Sequence, residues 1–209
     1  MGNMKLYMAP GSCTTALNIL LEEMGEVFEA HVVNLPRGDH LKPEFLAMNP
    51  KGTIPVLIRR DGTVMTELLA IAVWLGQSSR RFWPEDAAAQ TRALEIMSHV
   101  TATIHGQGFA RIFSAGAFGD DPDTQAMGRR IVAAGFDWLE TVLPGEGYAV
   151  GSYSAADAVL FYVEFWASKT RVAMPPRVAA HFRLMLSRPV VGRVLKEEGY
   201  RPEQLLEGA

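Results

Sequence analysis

The stretch "YMAPGSCTTALNILLEEMG" (residues 7–25) decides how the N-terminal half of this chain folds. It begins inside the apolar run "MKLYMA" (4–9), which reads as a short strand closed by a Pro10-Gly11 turn. From Thr14 to Met24 the apolar positions Ala16, Leu17, Ile19, Leu20, Leu21 and Met24 recur at helical spacing, and Gly25 supplies the stop. The single cysteine, Cys13, therefore stands where the turn meets the helix. A thiol there lies near unsatisfied backbone N–H groups and the positive end of the helix dipole, which both favour the thiolate. Such placements lower a cysteine pKa from about 8.5 into the range of about 3.5–7.5. The hydroxyls of Ser12 and Thr14 flank the sulfur as further donors. The competing reading is an inert cysteine buried as a small hydrophobe; the strand–turn–helix setting favours the reactive one. A lone cysteine excludes a dithiol cycle, so any redox chemistry needs an external thiol.

Working outward, "FEAHVVNL" (28–35) reads as a second strand and "KPEFLAMN" (42–49) as one or two helical turns. "PVLIRRDGTVMT" (55–66) is a hairpin pattern, two apolar runs joined through Asp61-Gly62. "ELLAIAVWLGQ" (67–77) is helical again, giving the order βαβ, a short helix, then ββα. After the bridge "SSRRFWPED" the pattern is helical almost to the end, over 87–109, 123–143, 154–169, 176–187 and 189–198. Prolines fall at the boundaries of these segments, where the missing N–H does no harm. "SAAD" (154–157) has the form of a capping box. The reading is an α/β domain over 1–79 followed by an all-α domain over 88–209, with no internal repeat.

Composition bounds the function. The chain has 209 residues, 48% hydrophobic and 21% charged, with a net charge of −3, as expected of an ordinary globular protein. No basic surface argues for nucleic acid, and no apolar run is long enough for a membrane span. The N-terminus lacks the pattern of a signal peptide. One cysteine and no disulfide fit a reducing compartment, so the expected location is the cytoplasm. No spacing of ligands suggests a metal: His99 and His105 are six apart, not the i, i+4 of a helical pair. "NPKGTIPVL" (49–57) places a proline directly before a buried strand, and sequence grammar alone makes Ile54-Pro55 a trans turn.

These segments together resemble the cytosolic glutathione transferases, most closely their bacterial beta class. "KLYMAPGSCT" is similar to that class's opening segment, with Cys13 at the cysteine, and "LAMNPKGTIPVL" resembles the family's Asn-Pro-x-Gly-x-Val-Pro segment. "DGTVMTELLAIAVWL" resembles the strand–turn–helix that grips the γ-glutamyl end of glutathione, and "IHGQGFARIF" (104–113) a segment carrying a histidine near the active site, here His105. The resemblance covers essentially the whole chain. It implies a thioredoxin-like first domain that binds glutathione and a helical second domain that forms the wall for the second substrate. It implies a cis Pro55, with the Ile54 main chain pairing with the cysteinyl backbone of glutathione. It implies Glu67 for the γ-glutamyl ammonium, the helix start at Leu68 for that residue's carboxylate, and Lys51 for the glycyl carboxylate, against the ordinary reading of a loop lysine as solvated. Ser12, Thr14 and Ser98 complete the implied glutathione contacts, and Cys13 and His105 the catalytic pair.

The activity implied is conjugation of glutathione, as co-substrate and with no tightly bound cofactor, to small hydrophobic electrophiles, with disulfide exchange through Cys13. Detoxification and a homodimer are implied by the same resemblance. The chain departs from the class at Met8, Leu68, Ala102 and Gly106, where polar groups are expected, and each departure costs about 1 kcal/mol of binding, the net worth of one hydrogen bond. Met8, Leu68 and Ala102 also motivate the alternative of a non-catalytic transferase-fold protein that binds apolar ligands or a protein partner. The aromatics Trp138, Phe161, Tyr162, Phe165 and Trp166 read as helical core, and the glycines of "GFARIFSAGAFGDDP" (108–122) as a mobile lip.

Overall fold

A computed structural model describes residues 2–113 and 118–206. Strand β1 (Met4–Met8) runs parallel to β2 (Phe28–Val32) and antiparallel to β3 (Val56–Ile58), which pairs antiparallel with β4 (Val64–Thr66), so the sheet order is β2-β1-β3-β4. The period of two in β1 sends Met4, Leu6 and Met8 into the main core and Tyr7 to the other face, where it stacks on His31 and meets Phe45 edge-on. Helices α1 (Thr15–Met24) and α3 (Leu68–Ser79) join the main core, while α2 (Pro43–Met48) contributes Phe45 to the smaller cluster. Gly25 ends α1 in the left-handed region, φ 68°, as its sequence position predicts. The second strand is shorter than expected: Leu35–Arg37 coils into a 3-10 turn, because Pro36 cannot donate to a ladder and the Asn34 side chain accepts from the Arg37 N–H.

The helical half comprises α4 (Ala87–His99), α5 (Ala110–Ile112), α6 (Pro122–Val142), α7 (Ala155–Thr170), α8 (Pro176–Leu186), α9 (Pro189–Glu197) and the short α10 (Pro202–Leu206). Helix α7 is buried from Ala155 to Ala167 and packs against α1, α3, α4 and α8, so it is the axis on which the two halves meet. Its Ser154–Asp157 capping box is formed.

The sequence predicts one helix over 87–109, but the structure divides it. After α4 the backbone winds as a π-helix from Val100 to Phe109 before α5. Glycines explain how this stretch is accommodated. A Cβ on Gly108 would lie 2.5 Å from Val132 Cγ2, and one on Gly128 would lie 2.7 Å from the Gly108 carbonyl oxygen, so this segment and α6 touch almost backbone to backbone. Wide turns of this kind tend to occur at functional sites, and His105 lies on this one. Of the expected lip, residues 114–117, including Gly116, lie outside the described residues.

Candidate active site

Three local features meet at one end of the sheet. The loop from Asn49 to Pro55 is shaped by Asn49, 1% exposed, whose amide donates to the Thr53 carbonyl at 2.7 Å and whose oxygen accepts from the Lys51 N–H. It ends in a cis Ile54-Pro55 bond, as the family resemblance implies and against the trans turn of sequence grammar. Glu67 precedes α3 with φ 71° and ψ 120°, a conformation that costs a non-glycine residue about 1–3 kcal/mol and that persists where its surroundings enforce it. No side chain caps α3, so its first N–H groups are available to an anion. Across from these stand Cys13 and, from the π-helix, Thr101 and His105. Together they line a cleft of about 720 Å³.

Of the residues singled out in the sequence, the cleft brings together Cys13, Lys51, Ile54, Pro55, Glu67, Leu68 and His105. Ser12, Thr14 and Ser98 are not among its lining. Thr14 is fully buried, and its Oγ1 donates to the Ala9 carbonyl at 3.1 Å and accepts from the Ala9 N–H at 3.2 Å. Ser12 Oγ bonds to Thr14 Oγ1 at 2.7 Å and accepts from the Thr14 N–H. These hydroxyls brace the loop rather than serving the sulfur. Ser98 is exposed on α4, whereas Thr101, four residues before His105 and on the same helical face, takes a place in the wall.

The expected activated thiolate is also corrected. Helix α1 starts at Thr15, two residues past the thiol, and Cys13 is only 7% exposed. Burial pushes the Cys13 thiol up to about 12, outweighing the lowering effect of backbone hydrogen bonding, and Glu67 adds to the rise. His105 is held neutral in the same way, with burial lowering it to about 4. Its Nδ1 lies 3.1 Å from the Tyr162 hydroxyl, and Trp166 meets the imidazole edge-on at 4.9 Å. Lys51 Nζ pairs with the Glu67 carboxylate and also donates to Thr66 Oγ1 at 2.8 Å.

The departures at Met8 and Leu68 do less harm than expected: Met8 is buried in the main core, and Leu68, 7% exposed, packs in the same core while starting the uncapped α3 at the cleft. Ala102 is exposed and does not line it.

The loop before Cys13 is held from the helical half, which no local motif reveals. Glu198, just past α9, accepts from the Gly11 N–H at 2.8 Å, from Thr15 Oγ1 at 2.6 Å and from the Asn18 amide at 2.9 Å. Trp166 Nε1 donates to the Gly11 carbonyl at 2.7 Å, so both peptide groups of Gly11 are fixed by side chains more than 150 residues away. On the other side of this loop lies a groove of about 550 Å³, walled by Pro10, Leu35, Phe113, Phe165 and Trp166, with Lys169 at its edge. Phe165 and Trp166, expected purely as core, thus also form a wall. Among the described residues no His, Cys, Asp and Glu cluster could hold a metal, and no helix is long and apolar enough to cross a membrane.

Comparison with known proteins matches this geometry. The family described as "Glutathione S-transferase, N-terminal domain" matches residues 11–78. Glutathione S-transferase GstA of Escherichia coli O157:H7 is 30% identical over 213 aligned positions, covering 95% of this chain and all of that protein. A glutathione transferase homologue from Sulfitobacter, solved with bound glutathione, superposes with a TM-score of 0.86 at 27% identity, covering 95% of this chain and 99% of its own. The bacterial beta class enzyme of Sphingomonas chungbukensis superposes with a TM-score of 0.78 at 26% identity, covering 93% and 98%. With a relative 30% identical along 95% of this chain and the N-terminal domain family matched over residues 11–78, the chain belongs to the glutathione S-transferase family.

Proposed function

We propose that the protein conjugates glutathione to small hydrophobic electrophiles, as a transferase most like the beta class. The observation that carries this reading is the single cleft that gathers Cys13, Ile54-Pro55, Glu67 and the uncapped start of α3 opposite His105. A γ-glutamyl peptide finds complements there: the Glu67 carboxylate for its ammonium, the first N–H groups of α3 for its carboxylate, the Ile54 main chain for its backbone and Lys51 for its C-terminal carboxylate. Residues 1–79 then serve as the glutathione-binding domain, and 88–209 supply the second-substrate wall through the groove at Phe113 and Trp166.

In the reaction, the glutathione thiolate attacks the electrophilic carbon, the new C–S bond forms, and the leaving group departs with its electron pair. Cys13, a neutral thiol at pH 7, supports the sulfur as a hydrogen-bond partner. Its own chemistry is disulfide exchange: the Cys13 thiolate attacks oxidised glutathione, forms Cys13–S–SG and releases a glutathione thiolate. The alternative of a non-catalytic protein rests on Met8, Leu68 and Ala102. Met8 and Leu68 pack in the main core and Ala102 does not line the cleft, so these residues give that reading little support.

The homodimer of the family is part of this proposal. Apolar surface suited to such a pairing is exposed at Val64 on the edge strand β4 and at Leu94 on α4. A cytoplasmic location accords with the single free cysteine. Calorimetric titration of reduced glutathione, followed by conjugation of 1-chloro-2,4-dinitrobenzene, tests the function. Saturable binding in the millimolar range with glutathione-dependent turnover is the expected result. Absence of binding overturns it, and a monomer by light scattering overturns the dimer.

A further inference from the structure

The pairing of His105 with Tyr162 bears on which nitrogen of the imidazole carries the proton. Tyr162 is fully buried on α7, and burial raises its phenol well above the ordinary range, so it keeps its proton throughout the working pH. Its hydroxyl has one hydrogen-bond partner among the described residues, His105 Nδ1 at 3.1 Å. The imidazole is itself neutral and offers one donor and one acceptor. If Nδ1 carried the proton, the phenol oxygen would accept from it and the buried phenol hydrogen would be left with no acceptor among the described residues, an arrangement buried polar groups avoid. With the proton on Nε2, the Tyr162 O–H donates to Nδ1 and both groups are satisfied. The other nitrogen, Nε2, has no protein partner among the described residues, and its ring lines the cleft with Cys13.

We propose that Tyr162 is a positioning residue that locks His105 as the Nε2–H tautomer. His105 then meets the glutathione sulfur as a hydrogen-bond donor and not as the base that removes its proton. The last step rests on the transferase reading of the cleft. The thiol proton of glutathione leaves to bulk water, the Nε2 proton stays on the ring, and the Nε2–H and Cys13 S–H both point partial positive charge at S⁻. The other titratable groups on this cleft are Glu67 and Lys51, which pair with one another. The family resemblance brings His105 to the cleft, but the sequence leaves its role open between proton carrier and donor. Tyr162, 57 residues away on another helix, closes that choice.

The test is nitrogen NMR of the full-length protein with ¹⁵N-labelled histidine, His105 being assigned by the signal lost in His105→Gln. A protonated Nε2 and an unprotonated, hydrogen-bonded Nδ1, unchanged from pH 8 down to pH 5, is the expected spectrum. A protonated Nδ1 overturns the proposal, and needs no variant to do so. Tyr162→Phe, which removes one oxygen from an otherwise unaltered ring, is expected to give a mixture of tautomers; a spectrum identical to the parent's also overturns it. Turnover then separates donor from base. His105→Gln keeps a donor near the Nε2 position and is expected to hold kcat/KM within about tenfold of the parent, whereas His105→Ala falls well below it. Equal losses in the two variants refute the donor role. If the parent binds no glutathione, the transferase reading fails while the NMR result still stands.

Discussion

His181 was assigned no role from the sequence, yet the structure makes it the centre of a buried charge cluster. On α8 and 3% exposed, it lies with Nδ1 2.8 Å from Glu164 Oε1 and Nε2 3.0 Å from Asp157 Oδ1, both acids belonging to α7 and both fully buried. Burial alone would lower the imidazole, but the two carboxylates outweigh it and push His181 up to about 10. Asp157 is also the acid of the capping box and accepts from the Ala149 and Ser154 N–H groups, so the cluster ties α8 to the start of α7. His181→Ala removes the one cation from a site with two buried acids. Removing one partner of a buried, hydrogen-bonded ion pair costs about 3–5 kcal/mol. For a chain of this length each kcal/mol moves Tm by about 2–4 °C, so the expected loss is about 6–20 °C.

The assay is thermal and urea unfolding followed by circular dichroism, first at pH 7. A companion variant guards against a purely steric explanation: adding Glu164→Gln to His181→Ala removes one stranded charge and restores part of the loss, a coupling that independent sites would not show. The pH dependence has a definite sign. A base whose pKa is raised on folding contributes stability that is fully present below its unfolded value, near 6.5, and that is lost as pH rises through the folded value, near 10. The parent therefore loses stability across pH 6.5–10 more steeply than His181→Gln. A His181→Ala loss under 1 kcal/mol, or parallel pH profiles for the two proteins, refutes the ion cluster.

Other consequences are more local. A Cβ on Gly11 would fall 2.0 Å from the Tyr200 hydroxyl at a φ of +71°, so Gly11→Ala destabilises by about 2–4 kcal/mol in urea unfolding, and Tyr200→Ala relieves the clash but not the backbone strain. Glu198→Ala strands three donors around the Gly11 loop and is expected to cost about 3 kcal/mol or more and to lower turnover, while Glu198→Gln keeps part of both, as unfolding and steady-state kinetics on the same samples would show. With its thiol near 12, Cys13 forms the glutathione mixed disulfide about a hundredfold more slowly at pH 7 than an ordinary cysteine of pKa 8.5, after its greater intrinsic nucleophilicity is counted, and the rate climbs about tenfold per pH unit. Intact mass against time in oxidised glutathione reads this directly, and adduct formation as fast as a free thiol would show that Cys13 is neither buried nor neutral.

The contrast between what the sequence shows and what it hides has a physical basis. Cys13 announces itself because it sits where a turn meets a helix, where turn chemistry and periodicity are written within about ten residues, whereas the cis Ile54-Pro55 bond and the role of Glu67 come with the family resemblance and not from local grammar. Helix α7 is equally legible as an element, through Ser154 and Asp157. What is not legible is its rotation. Tyr162, Phe165 and Trp166 read as core and nothing marks Glu164, while packing against α1, α8 and the π-helix decides that Tyr162 aims at His105, Glu164 at His181 and Trp166 at Gly11. The Cys13 error has the same source: the helix dipole is a local property, while the burial that defeats it comes from the whole fold. His105 was within reach only by resemblance, since nothing local distinguishes it from the core histidines of other helices.

Lys51 and Glu67 offer a last case, in which their pairing with each other changes what a variant should do. Both side chains are exposed, 46% and 64%, so their ion pair is worth only about 0–1 kcal/mol. In the proposed complex that pair is broken: Glu67 turns to the γ-glutamyl ammonium and Lys51 to the glycyl carboxylate. The two residues therefore do not contribute alike. Glu67→Gln loses a charge-assisted hydrogen bond of about 1.5–3 kcal/mol and is spared only the cost of breaking the pair, about 0–1 kcal/mol, so glutathione affinity falls by about 2- to 150-fold. Lys51→Met loses a weaker, solvated contact and is spared the same cost, so the two changes largely offset and affinity stays within about fivefold. The double variant loses both contacts while the cost is spared once, so it is expected to bind more weakly than Glu67→Gln alone. Calorimetry on the four proteins gives the cycle, and Lys51→Met weakening glutathione as much as Glu67→Gln would mean that Lys51 is a principal anchor whose pairing with Glu67 carries no weight in binding.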